Sequence, residues 1–245
     1  MVLLEELDTE FGNIKIMRSK RDGTYSYYQE ACFHSQINAD GVSTCGYVHV
    51  MYSIIRQAQA RRVLMIGCAG GTLATMLHNV GCKITVVDIN PHAFALAKRY
   101  FQMPEAIKCV VGDGWSYLLK TSQHYDAIAI DAFSSDGTVP EQFINEDFYH
   151  VVREVLDPLG VVVVNVMVEH DMDMLADRIA LNMEASKMPA VLFDWPGRHN
   201  RNVIIAGGVV DHMQIASSRK PVSVRQELRG LMRRPPKKRM VNGWK

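Results

Sequence analysis

The sequence predicts an α/β protein with a mostly parallel sheet, preceded by a small antiparallel β-domain. Three observations carry this expectation. From Arg61 onward, short apolar runs alternate with amphipathic stretches of helical length. Those runs are continuously apolar, as strands covered by helices on both faces should be. The N-terminal stretch behaves differently, with period-two alternation broken by turn residues.

In order, GNIKIMRS and TYSYYQE read as two strands of a hairpin around KRDG, and ACFHSQIN adds a third. Tyr47 to Ala58 has helical apolar spacing and leads into the first core strand. The core strands are RVLMIG (62–67), KITVVD (83–88), IKCVVG (107–112), YDAIAID (125–131) and GVVVVNVM (160–167). Helices fit between them over 72–79, 91–101, 115–121 and 145–156. Asn90 and Pro91 supply an N-cap and a first-turn proline. Repeated strand–helix units imply right-handed crossovers within one parallel sheet. A further helix over 171–187 precedes two late strands, AVLFDW (190–195) and NVIIAGG (202–208). The expected division is a β-domain over 1–45, a cofactor-binding catalytic domain over 46–215 and a mobile basic tail over 216–245. RRPPKKR, near the end, argues against a packed element there.

Composition narrows the class. Of 245 residues, 48% are hydrophobic and 22% charged, which excludes a disordered or fibrous chain. The net charge of +1 conceals an asymmetry. Residues 219–245 hold ten Lys or Arg against the single Glu227, a tail of +9 that leaves −8 for the rest. An acidic body suits a cationic substrate, and a basic tail is what a nucleic-acid contact would use. VVVVNVMV (161–168) is too short to span a membrane, and Glu5, Glu6 and Asp8 stand where a signal peptide would be basic and then apolar. Five cysteines without a CxxC pair read as a reduced, cytoplasmic protein. With no HExxH and no GxSxG, neither a metal site nor a serine hydrolase is expected.

Chemistry is expected beyond the carboxyl ends of the strands, where strand order reverses. The first strand runs into GCAGG, whose Gly67, Ala69, Gly70 and Gly71 let a ligand approach the backbone at a helix N-terminus. The second ends at Asp88 with Ile89 beside it, about twenty residues on, where an acid grips ribose hydroxyls. The third ends at Gly112 and Asp113, and the fourth at Asp131 before the loop AFSSDGTVPE. Each has a plainer reading: a connecting turn, a helix cap at Asp88 or a stabilised turn at Asp113. Four such features in order at four successive strand ends point to a nucleotide-type cofactor.

These residues resemble the class I S-adenosylmethionine-dependent transferases, and among them the spermidine synthase (polyamine aminopropyltransferase) family. The matching stretches are VLMIGCAGGTLATML, ITVVDINPHAFALAKRYF, VVGDGWSYLL, YDAIAIDAFSSDGTVPEQFINEDFYHVVREVLDPLGVVVVN and SQINADGVSTCGYVHVM. The resemblance implies a Rossmann-like class I methyltransferase fold with a seven-stranded, mostly parallel sheet. It implies that Gly67 to Gly71 hold the methionine-derived part of decarboxylated S-adenosylmethionine, Asp88 the ribose and Asp113 the adenine amino group. Asp131 would deprotonate and orient the attacking amine. Gln36, Tyr47, His49 and Asp136 would border the substrate, with Glu169 or Asp171 as further acids for a distal ammonium. A small amine acceptor, a homodimer and no metal are also implied.

The departures leave alternatives open. The family's acid in the glycine-rich loop, which holds the donor's amine, is Ala69 or Gly70 here. Its loss removes a charge that would repel the carboxylate of intact S-adenosylmethionine. His49 replaces a Glu, and Gly137 a Pro. Aminopropyl transfer to a di- or polyamine is therefore set beside methyl transfer, or other sulfonium chemistry, from intact S-adenosylmethionine. A third reading is a non-catalytic or nucleic-acid-binding protein that uses its basic tail.

Overall fold

The computed structural model describes residues 1–134, 136–214 and 221–238. Four antiparallel strands come first: β1 (Val2–Thr9), β2 (Gly12–Arg18), β3 (Tyr25–Gln29) and β4 (Cys32–Ile37), in the order β1-β2-β3-β4. The expected hairpin is β2–β3, with Asp22 accepting from the Thr24 N–H in its turn. Strand β1 was not expected, because VLLEELDT has no clean alternation. Being an edge strand, it buries neither face fully. The inner face of this sheet packs Ile14, Ile16, Tyr27 and Ile37 against Leu96 and Phe101 of the main body.

The main body follows as α1 (Gly46–Gln57), β5 (Arg62–Ile66), α2 (Thr72–His78), β6 (Lys83–Asp88), α3 (Pro91–Tyr100), β7 (Lys108–Val111), α4 (Gly114–Lys120), β8 (Tyr125–Ile130), α5 (Glu146–Val155), β9 (Leu156–Val168), α6 (Leu175–Ala185), β10 (Ala190–Asp194) and β11 (Arg201–Gly208). Strands β5 to β9 are parallel, and β11 runs antiparallel between β9 and β10. The chain thus forms the α/β sheet of the Rossmann-like class I methyltransferase fold. Strand order reverses between β5 and β8.

Alternation along each strand divides the core in two. Val63, Met65, Ala127, Ala129, Val161 and Val163 pack with α1, α2 and α3 on one face. Leu64, Ile66, Ile128, Ile130, Val162 and Val164 pack with α4, α5 and α6 on the other. Burial on both faces is why these strands carry no polar positions until their ends.

Several boundaries differ from expectation; β9, expected over 160–167, runs over Leu156–Val168. Helix α6 starts at Leu175 rather than near 171, because Asp173 accepts from the backbone N–H of Leu175 and of Glu169 in a preceding turn. A short acid of this kind offers the backbone an alternative to helix.

The larger correction concerns the basic tail. Residues 221–238 are packed: α7 (Val222–Glu227) leads to β12 (Met232–Arg234), an eighth strand antiparallel to β10. Val224 and Leu231 are buried. Arg234 donates to both carboxylate oxygens of Asp177 (2.6 and 3.0 Å) and to Asp194 (3.0 Å), which are 0% and 1% exposed. Arg201 donates to the other Asp194 oxygen at 2.7 Å. Buried charges persist when paired and fully hydrogen-bonded, so the basic character expected to keep this segment in solvent anchors it instead. Residues 216–220 and 239–245, with Arg239, lie outside the described residues.

Removing Arg234 takes the cation from buried Asp177 and leaves Asp194 with Arg201 alone, so Arg234→Met should cost about 3 kcal/mol or more and lower Tm by several degrees. Burial works against the ionised form of Asp194, but Arg201 and Arg234 outweigh it and hold its carboxyl below the usual range. That stabilisation is present above about pH 4 and is lost as acid protonates Asp194. Thermal unfolding between pH 3 and 7 should show the wild-type advantage shrinking towards the acid end.

Candidate active site

The columns of side chains facing α1 stay apolar along the strands and turn polar at their ends. On β8 the column Ala127, Ala129 continues to Asp131. On β9 the column Val161, Val163 continues to Asn165, and on β11 the column Ala206, Ile204 continues to Asn202. These three ends touch. Asn202 donates to the Asn165 side-chain oxygen (3.0 Å), and Asn165 donates to Asp131 Oδ1 (2.8 Å). The Tyr47 hydroxyl, on α1, lies beside Asp131, and its one proton serves either that carboxylate or the His34 carbonyl at 3.1 Å. Burial pushes the Asp131 carboxyl up to about 6, against the pull of Asn165 and Tyr47.

Asp131 stands where two cavities meet. The first, about 420 Å³, lies over the ends of β5, β6 and β7, and Gly67, Cys68, Ala69, Asp88, Ile89, Gly112 and Asp113 border it. The second, about 550 Å³, opens towards the small sheet and β11, bordered by Gln36, Tyr47, Asp136, Asn165, Asn202 and Glu227. His34, Ala69, Asp131 and Phe133 border both. Both volumes are typical of small-molecule sites.

The floor of the first cavity depends on small residues. A Cβ on Gly67, at φ +93°, would overlap the Asp131 carbonyl oxygen, so the turn after β5 can pass the end of β8 only as glycine. A Cβ on Gly70 would come within 2.8 Å of Phe101 and 2.9 Å of Ser35. Gly70 is buried under those residues and Gly71 caps α2 at φ +61°; neither borders a cavity. Of the two positions that could carry the loop acid, Ala69 rather than Gly70 borders the cavities, and it carries no charge.

Asp88 accepts from the Cys68 N–H (2.6 Å) and the Asn90 N–H (2.7 Å), clamping the glycine-rich turn to the end of β6. The helix cap is Asn90, which accepts from the His92 N–H at 3.0 Å. Burial nevertheless pushes the Asp88 carboxyl upward. Asp113 borders the cavity and caps α4, accepting from the Ser116 N–H (2.7 Å) and the Gln142 side chain (2.9 Å). Burial opposes its ionised form, but the hydrogen bonds from Ser116 and Gln142 prevail and hold its carboxyl low.

Some expected residues fall elsewhere. His49 is 1% exposed, with its ring bonded to the Ser43 carbonyl oxygen (2.7 Å), and borders neither cavity because its helix face turns into the core. Asp171 is spent on Arg201 (2.9 Å) and the Gly197 N–H, and neither it nor Glu169 borders the second cavity. Asp136 borders it but is exposed, its Oδ1 taken by the Thr138 N–H and hydroxyl. Of the basic residues expected to face phosphates, Arg233, Arg234 and Lys237 donate to groups within the chain. Asn165, Asn202, His34 and Glu227 were not anticipated as site residues. Asn165 did carry a signal, as the polar break in a run of valines.

Among the described residues no cluster of His, Cys, Asp and Glu could hold a metal ion, and no helix is long and apolar enough to cross a membrane. The chain matches the spermine/spermidine synthase domain over residues 28–193. It is 37% identical over 120 residues to a probable polyamine aminopropyl transferase of Bifidobacterium longum, covering 48% of this chain and 25% of that protein. It is 33% identical over 111 residues to a polyamine aminopropyltransferase of Chromobacterium violaceum, covering 43% of this chain and 42% of that one. The matched stretch thus spans less than half the length of either relative. A probable spermidine synthase structure from Corynebacterium glutamicum superposes with a TM-score of 0.78 at 18% identity, over 96% of this chain and 90% of that one, a likeness of fold. With its matched span covering more than half of its length, the chain belongs to the spermine/spermidine synthase domain family.

Proposed function

We propose that this protein is an aminopropyltransferase that moves the aminopropyl arm of decarboxylated S-adenosylmethionine onto a di- or polyamine. The observation that carries the reading is Asp131, a carboxylate at the meeting point of two cavities, oriented by Asn165 and Tyr47. In this reading the cavity over β5–β7 takes the donor. Asp88 receives the ribose hydroxyls, Asp113 the adenine amino group, and Ile89 and Gly112 line the adenosyl part. Gly67 and Ala69 border the arm to be transferred, and the cavity bordered by Gln36 and Tyr47 takes the acceptor. The division into 1–45 and 46–215 is kept as the functional one, with the C-terminal segment serving the catalytic part.

The donor's sulfonium supplies its own leaving group, so the protein must supply alignment and a proton acceptor. An amine of pKa about 10 costs about 4 kcal/mol to deprotonate at pH 7. Asp131, ionised above about pH 6, accepts that proton on the oxygen that Asn165 does not engage. Asn202 fixes the Asn165 amide so that its N–H₂ end faces the carboxylate.

Ala69 supports a second reading with intact S-adenosylmethionine, since no acid at the loop repels a carboxylate. A charge pair at 4 Å is worth about 4 kcal/mol at an effective dielectric near 20, and less where water enters. Thermal-shift titration should separate the two: the decarboxylated donor should raise Tm more, and a larger shift with the intact one would defeat aminopropyl transfer. Ala69→Asp should widen the preference for the decarboxylated form by ten-fold or more; Asp tolerates the left-handed φ of +45° found there.

Asp131→Asn should abolish turnover while leaving donor binding within a few-fold. Wild-type kcat should fall as pH drops through about 6. The folded state binds the Asp131 proton more tightly than the unfolded state does, so its ionisation destabilises the fold progressively as pH rises from about 4 through about 6. Asp131→Asn should therefore raise Tm at pH 8 and leave it nearly unchanged at pH 4. Retained turnover in this variant would sink the mechanism.

A further inference from the structure

The acceptor-side cavity has one acidic neighbour that comes from outside the family-matched span. Glu227 ends α7 and borders this cavity but not the donor cavity. Its carboxylate accepts from the Gly46 N–H at the start of α1 (2.8 Å). A Cβ on Gly46 would lie 2.7 Å from the Glu227 carboxyl carbon, so the two pack directly. Its carbonyl accepts from Trp195 Nε1 (3.0 Å) and Arg198 Nη1 (3.1 Å), and the Arg234 clamp fixes the chain a few residues on.

Capping α1 favours an anion at this place, but does not require that anion to stand on a cavity wall. The cavity's composition gives it a second role. Among the described residues no Lys or Arg borders the cavity; its polar wall includes His34, Gln36, Tyr47, Asn165 and Asn202, with Asp131, Asp136 and Glu227 as the acids. Asp131 is committed to the reacting amine in the reading above, and Asp136 holds its own turn through Thr138.

We propose that Glu227 is the acceptor-specificity residue, its carboxylate holding the second ammonium of a di- or polyamine whose first amine lies at Asp131. This rests on the aminopropyl-transfer reading for its acceptor. The segment 221–238 is then a wall of the acceptor site, with Trp195 and Arg198 holding the Glu227 backbone in place.

Calorimetry on the full chain, with 5′-methylthioadenosine filling the donor cavity, tests this by binding alone. Wild type should bind 1,4-diaminobutane more tightly than 1-aminobutane. Glu227→Gln keeps an oxygen for the Gly46 N–H and should reduce that ratio about ten-fold, or about 1.4 kcal/mol. Glu227→Asp, which keeps the charge, should retain most of it. In turnover, Glu227→Gln should raise KM for the diamine about ten-fold with kcat changed less than three-fold. Equal weakening of both amines, or an unchanged ratio, would overturn the proposal in favour of a purely structural cap. Equal binding of the two amines by wild type would overturn it without any variant. A diamine preference that depends on Glu227, in a protein that transfers nothing from the decarboxylated donor, would leave the site standing and remove the activity.

Discussion

The site depends on how closely the ends of two neighbouring parallel strands approach. After β5 and β8 diverge at the switch point, the turn leaving β5 still passes against the backbone at Asp131, and only a residue without a side chain fits at position 67. That contact sets the cavity floor, directs the following turn under Asp88, and leaves Asp131 at the boundary between two ligand spaces. A larger residue there would force the strands apart and separate the groups that must act together.

The second constraint is electrostatic. Burying a carboxylate is unfavourable, and the protein compensates with a short relay, Asn202 to Asn165 to Asp131, and with a tyrosine hydroxyl. Compensation is incomplete, which leaves the carboxyl pushed up to about 6. Asp194 is the contrast: it is also buried, but between two guanidinium groups it stays ionised and serves stability alone. The same residue type does different work because its neighbours differ in charge.

The C-terminal segment both fastens the sheet edge and borders the second cavity. Its basic residues, read along the chain, look like a solvated tail. In the fold, Arg234 neutralises two buried acids, adds a strand to the sheet and brings α7 against the start of α1. Charge composition described the segment correctly but did not reveal its packing, since a cation's environment is set by acids distant in sequence.

The sequence by itself determined what depends on neighbours along the chain. Continuous valine-rich runs required strands covered on both faces, and glycines after β5 required a close backbone approach. Carboxylates at successive strand ends placed the candidate site above the carboxyl end of the sheet. Tertiary structure alone decided what depends on partners far apart. His49 belongs to the core rather than the site because of the face its helix presents, and Asp171 is consumed by an arginine thirty residues on. Asn165 becomes the partner of Asp131 because strands β8 and β9 pair in that register. Glu227 borders the second cavity and meets Gly46 across 181 residues, a contact no local pattern encodes. Periodicity reports which face of an element is buried; only packing reports what lies opposite.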